Sequence, residues 1–269
     1  MVNKNTKKLI NNKKLYIFDM DGTIYLGSRV FDFAVDFICR LRKSGKRVMF
    51  FTNNASRSPD VYADKLSKMG FAPREGEILT SGDVTIQFLL HHRAQKSVYL
   101  VGTPELCSQF EKAGIVLSDD APIVVTSFDT TLTYEKLNTA CRLIRGGAEY
   151  LSTHPDFNCP TEDGFIPDSG AISAFVTAST GVSPVYFGKP EAMTIDMICE
   201  YTGLSREDMC IFGDRLYTDI ALGKRHGVTA VLVLTGETTE RGVEMADDSE
   251  KPDIVLPSLR EASELIWDD

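Results

Sequence analysis

The chain has 269 residues, more than one hydrophobic core usually fills, so two domains or one domain with a large insertion is the natural expectation. A composition of 43% hydrophobic and 25% charged residues is that of an ordinary globular protein and excludes a disordered or fibrous chain. The net charge of −9 excludes nucleic acid as a partner, because a phosphate backbone needs a basic face; a small phosphate ester stays admissible where a metal ion and a few cations are concentrated locally.

The first 14 residues, MVNKNTKKLINNKK, are basic and polar without the apolar stretch of a signal peptide, and no run approaches a membrane span. Cys39, Cys107, Cys141, Cys159, Cys199 and Cys210 are scattered with no C-x-x-C pair, so they read as free thiols. These features predict a cytoplasmic protein with no membrane partner.

The first strong element is the apolar run Leu15 to Phe18, a buried strand that ends in the polar turn Asp19-Met20-Asp21-Gly22-Thr23. A helical period over 31–43 follows, then the turn Ser44-Gly45 and an apolar strand over 48–51. That strand ends in Thr52-Asn53-Asn54-Ala55-Ser56, and Ser58-Pro59 opens a helix that Gly70 closes. Strands alternating with helices, with polar residues at the strand carboxyl ends, predict a doubly wound parallel α/β sheet that binds its ligand at those ends.

Between 84 and 185 a second series appears: strands at 97–101, 123–126 and 149–152, and helices at 105–113 and 134–145. The earlier style resumes at Val185-Tyr186-Phe187-Gly188-Lys189-Pro190, followed by a helix over 193–201, the strand 209–212 ending in Gly213-Asp214, and a strand over 229–234. The expected organisation is a core formed by 1–83 and 186–269, interrupted by a smaller inserted α/β domain at 84–185.

Asp19 and Asp21 lie two residues apart at a strand end, where period-two geometry can turn both carboxylates to one side. One could attack as an anion while the other gives and takes a proton; a solvated Asp-Gly turn is the alternative for such a motif alone. Likewise Asp214 and Asp219 could cap a helix, Thr52 and Asn54 could serve a turn, and Lys189 could be a solvated lysine.

Taken together, Asp19-Met20-Asp21-Gly22-Thr23, Thr52-Asn53-Asn54, Gly188-Lys189-Pro190 and Gly213-Asp214 with Asp219 resemble the four ordered motifs of the haloacid dehalogenase (HAD) superfamily. The segments around Thr52, Lys189 and Asp214 resemble its NagD-like, or 4-nitrophenylphosphatase-like, branch, whose Rossmann-like core carries an α/β cap between the second and third motifs. The resemblance implies a phosphatase working through an aspartyl phosphate, with Asp19 as nucleophile and Asp21 as acid and base. It further implies Mg²⁺ held by Asp19, the Asp21 backbone carbonyl and Asp214, with Asp219 behind them through water. Thr52, Asn53 and Asn54 would then bind the phosphoryl group, and Lys189 would supply positive charge to it. A phosphomutase, or a phosphate-binding protein without turnover, uses the same residues.

Residues 154–160, His154-Pro155-Asp156-Phe157-Asn158-Cys159-Pro160, match the branch's substrate-specificity loop, with a Pro-rich turn as the structural alternative. The expectation is that residues 156–159, Asn158 above all, select among substrates without supplying reacting groups, and that His154 has no catalytic part. The implied partner is a small phosphorylated metabolite, drawn from sugar phosphates, nucleoside monophosphates, phosphoglycolate, pyridoxal phosphate or aryl phosphates. Caps of this branch also contribute to homodimer contacts.

Overall fold

A computed structural model describes residues 4–161 and 164–267. The chain divides into two compact units: one takes Thr52–Tyr62 and Thr80–Met197, and the other takes the remaining described residues.

In the latter unit all four residues of the strand Leu15–Phe18 are buried, as in a parallel sheet covered on both faces. The sheet order is Ile254–Leu256, Thr229–Val233, Met209–Gly213, Leu15–Phe18, Arg47–Thr52 and Ile78–Thr80. Leu15–Phe18 pairs in parallel with both neighbours, Phe18 facing Phe212 on one side and Phe50 on the other. The chain thus builds outward on one side of its first strand and later returns on the other. Such a reversal opens a crevice at the strands' carboxyl ends. Because Phe18 and Phe212 are in register, Asp19 and Gly213 leave the sheet at the same level.

Aromatic packing fixes that pair of strands from behind. The Phe18 ring stacks on Phe212 at 5.0 Å and meets Phe37 edge-on at 5.9 Å, and Phe37 meets Trp267 at 5.6 Å. Burial of each such ring is worth about 1.5–3 kcal/mol, so the strand ends sit on a rigid floor. The helix expected over 31–43 begins only at Ala34, because Phe33 has a left-handed φ of 68°, which a right-handed helix cannot absorb.

The other unit holds a four-stranded parallel sheet, ordered Val185–Tyr186, Glu149–Ser152, Ile123–Thr126, Val98–Val101. Helices Tyr134–Arg145 and Ser169–Thr180 close its core through Leu137, Ile144, Ile172 and Val176 against Val124 and Tyr150. An exposed antiparallel hairpin, Asn158–Thr161 with Gly164–Pro167, precedes the second of these helices.

The units part the chain at different places from the expected 1–83, 84–185 and 186–269. Within one unit, Asn53 binds the backbone of Lys189, and Thr103 Oγ1 donates to Ser56 O at 3.0 Å. Residues 52–62 and 186–197 lie in the same compact unit as the inserted segment, as does the helix Ser81–His92, whose Val84, Ile86, Phe88 and Leu89 are buried. Among the described residues no helix is long and apolar enough to cross a membrane.

Candidate active site

Asp19 continues the central strand by one residue, its N–H donating to Phe212 O at 2.9 Å. The chain then turns back: Ile24 N donates to Met20 O at 3.0 Å and Gly22 N to Tyr25 O at 2.7 Å. Gly22 is required here twice over. Its φ is +89°, and a Cβ built on it would lie 2.4 Å from Asp214 Oδ2. Asp19, Asp214 and Asp219 each bring a carboxylate oxygen to within 4.8 Å of the others, Asp214 and Asp219 buried and Asp19 partly exposed. The Asp21 side chain is exposed and stands outside this cluster.

The cluster is held by backbone. Asp214 Oδ2 accepts from Glu237 N at 2.7 Å, and Thr235 Oγ1 donates to Gly22 O at 2.7 Å, so the loop after strand Thr229–Val233 clasps both motifs. Gly236 packs so closely that a Cβ on it would sit 2.0 Å from Asp214 Oδ2. Asp219 lies on a π-helical turn, Leu216–Ile220, and its Oδ2 accepts from Arg215 N and Thr218 Oγ1, both at 3.3 Å. A Cβ on Gly213 would fall 2.1 Å from Asp219 Cβ.

Sequence reasoning gave no part to Arg215 or to residues 235–237. Arg215 Nε pairs with Glu237 Oε2 at 3.1 Å, and Tyr217 Oη donates to the same oxygen at 3.2 Å. Burial alone would lower the Arg215 pKa, but Asp19, Tyr217, Asp214 and Glu237 around it hold it above the ordinary guanidinium range. The signal for the loop was present: Leu234-Thr235-Gly236 ends a strand in small polar residues, as the recognised motifs do.

Three carboxylates converging from two adjacent strand ends are a hard-oxygen donor set of the kind a small divalent cation takes. The three glycines that admit these side chains keep the backbone close around them, so the residues present fit such an ion.

In the other unit, Thr52 Oγ1 accepts from Asn54 N at 3.2 Å, and Asn54 Oδ1 accepts from Ser56 N at 3.0 Å and from Ser56 Oγ at 2.7 Å, an Asx turn that shapes the loop. Asn53, 7% exposed, donates through Nδ2 to Lys189 O at 2.9 Å and to Asp156 Oδ2 at 3.0 Å, and accepts from Lys189 N at 2.7 Å. Lys189 is buried. Asn158 lies exposed on the first strand of the hairpin, opposite Pro167. His154 is wholly buried; its Nε2 contacts Asp168 Oδ1 at 2.8 Å and its Nδ1 the hydroxyl of Thr153 at 3.0 Å. His154, Asp156 and Asp168 converge as well, but hydrogen bonds within the protein already engage them.

A parallel sheet reversing at its first strand, with acidic residues crowded on adjacent strand ends and a large α/β insertion, is the arrangement of a phosphoryl-transfer enzyme on a Rossmann-like core. The family of haloacid dehalogenase-like hydrolases matches residues 16–116, and a HAD-hydrolase-like family matches 186–262. An acid sugar phosphatase of Staphylococcus saprophyticus is 37% identical over 87% of this chain and 92% of its own length. The 5'-nucleotidase YutF of Bacillus subtilis is 35% identical over 92% and 96%. Among solved structures, 4-nitrophenylphosphatase from Thermotoga maritima superposes with a TM-score of 0.90 at 42% identity, covering 95% of this chain and 98% of that one. The chain belongs to the haloacid dehalogenase-like hydrolases, in their NagD and 4-nitrophenylphosphatase branch, and is a phosphomonoester phosphatase.

Proposed function

We propose that the enzyme hydrolyses phosphomonoesters of small metabolites by carrying the phosphoryl group transiently on Asp19. The observation that carries this reading is the convergence of Asp19, Asp214 and Asp219 at the carboxyl ends of two adjacent central strands. Asp19, Asp214 and the Asp21 carbonyl would hold Mg²⁺, with Asp219 behind them through water, and the ion's charge would offset the repulsion between a phosphate dianion and the carboxylates around it.

An oxygen of the Asp19 carboxylate attacks phosphorus in line, forming the Asp19–phosphate bond as the bond to the leaving oxygen breaks. Asp21, exposed beside the turn, gives its proton to that leaving oxygen. It then takes a proton from the water that attacks phosphorus, so that phosphate departs and both carboxyl groups return to their starting states. Lys189 supplies positive charge to the phosphoryl oxygens, with donors from Thr52 and from the Asn53 backbone, the Asn53 side-chain amide being already committed. Asn54 shapes their loop.

The relatives named for sugar phosphates and for nucleotides support a sugar phosphate or a nucleoside monophosphate as substrate. The inserted segment 84–185 serves as the cap, and its exposed Asn158 touches the variable leaving group. Six free thiols accord with a cytoplasmic setting, and exposed Phe157, Phe165 and Phe175 offer apolar surface to a homodimer.

The test is phosphate release from sugar phosphates, nucleoside monophosphates and 4-nitrophenyl phosphate with Mg²⁺, then with excess chelator. Turnover of at least one metabolite ester, stopped by chelation and restored by Mg²⁺, is expected. Undiminished turnover in chelator contradicts the metal, and no release from any ester contradicts the hydrolysis.

A further inference from the structure

The Asn53 side chain has two N–H groups and one carbonyl oxygen. Both N–H groups are spent, on Asp156 Oδ2 at 3.0 Å and on Lys189 O at 2.9 Å, and the oxygen accepts from Lys189 N at 2.7 Å. The Lys189 backbone is therefore gripped at its N–H and at its C=O, on two successive peptide groups, by one amide. For that grip the amide must stand one way round. Turned over, it would set Oδ1 against both Lys189 O and the Asp156 carboxylate, and its own N–H against the N–H of Lys189. An ionised carboxylate only accepts, so Asp156 reinforces the orientation that the Lys189 backbone demands and anchors the amide from its far side.

Asp156 is itself bolted down. Gly170 N donates to Asp156 O at 2.7 Å, and a Cβ at Gly170 would lie 2.2 Å from Pro155 O, so the helix Ser169–Thr180 begins hard against this loop. Asp168, which caps that helix through Ser169 N at 2.6 Å, receives His154 Nε2 and donates its own N–H to Phe157 O at 3.0 Å. The loop is anchored on both sides of Asp156, while Asn158 two residues later is exposed.

We propose that Asp156 is a positioning residue for phosphoryl transfer: it orients the Asn53 amide, which holds the Lys189 backbone and so aims the lysine side chain. The proposal rests on Lys189 as the cation facing the transferred group. It divides the loop, Asp156 serving the chemistry common to all substrates and Asn158 the choice among them.

The test compares Asp156→Ala, Asp156→Asn, Lys189→Ala and the double variant Asp156→Ala/Lys189→Ala on 4-nitrophenyl phosphate and a sugar phosphate, with melting curves as the check on folding. Asp156→Ala is expected to lower kcat by on the order of 10- to 100-fold on both esters, with KM changed by less than about threefold, as for a displaced group acting in the transition state. Asp156→Asn keeps an acceptor oxygen and should restore kcat to within about fivefold, and Asp156→Ala should cost under about twofold once Lys189 is gone. A Lys189→Ala variant at wild-type kcat defeats the reading of Lys189 itself. With Lys189→Ala impaired, three outcomes overturn the Asp156 proposal alone: wild-type kcat in Asp156→Ala, a loss confined to one ester, or a full multiplicative loss in the double variant. If Asp156→Ala does not fold, Asp156→Leu, which fills the space without an acceptor, is judged by the same outcomes.

Discussion

His154 carries two opposed influences at one buried atom pair. Burial, the larger single influence, lowers its pKa; the hydrogen bond and charge of Asp168, with the charge of Asp156, together outweigh it and leave the pKa raised above 6.5. The remaining polar groups facing the ring are the hydroxyls of Thr153 and Ser81. A raised folded pKa means that the folded state binds the proton more tightly, so its stabilisation is complete below the unfolded value and fades as pH rises through the folded one. The difference in unfolding free energy between wild type and His154→Asn should therefore shrink as pH is raised from below 6.5. Urea titrations at a series of pH values measure it, and a constant or widening gap contradicts this origin. At the same scale, Asp19, Asp21 and Asp214 were legible because Asp19 directly follows a short apolar run, Asp21 opens the Asp-Gly turn two residues on, and Asp214 closes another apolar run in a Gly-Asp pair. The Asn53 clamp was not, because its partners lie 103 and 136 residues away and nothing local in Thr52-Asn53-Asn54 points to them.

Between elements, the helix Ala34–Lys43 is fastened to the segment before strand Ile78–Thr80 by Arg42 and Glu77. Arg42 Nε meets Glu77 Oε1 at 3.0 Å, its second guanidinium nitrogen meets Oε2, and Nη1 donates to Phe71 O at 2.6 Å. The side chains are only 7% and 11% exposed, so removing one partner strands the other charge in a dry place. Glu77→Ala should cost about 3–5 kcal/mol in urea unfolding, and Arg42→Met/Glu77→Leu should recover much of it. A loss below about 1 kcal/mol would assign the pair to the class of solvated surface bridges. Most strands and amphipathic helices were readable from apolar runs and helical period. Helices Ser81–His92 and Ser169–Thr180 escaped, because Gly, Ser and Thr buried among their apolar residues blur the polar face that periodicity relies on. The edge strands Ile78–Thr80 and Ile254–Leu256 escaped as well, being only three residues long.

For the whole molecule, the order of four motifs along 269 residues announced the parallel core and its insertion, and the chain's relatives bear out the family and the phosphatase chemistry. The bond between Asn53 and the Lys189 backbone, which ties residues 52–62 to 186–197, was not legible, since nothing in composition points to it. The central claim is that an ionised carboxylate on Asp19 attacks phosphorus, and Asp19→Asn removes that anion while keeping the side chain's size. The decisive measurement is steady-state phosphate release by this variant, with circular dichroism and melting matched to wild type. A fall of at least about 1,000-fold is expected for a lost nucleophile. Activity within about tenfold of wild type, under about 1.4 kcal/mol of transition-state stabilisation, would contradict it.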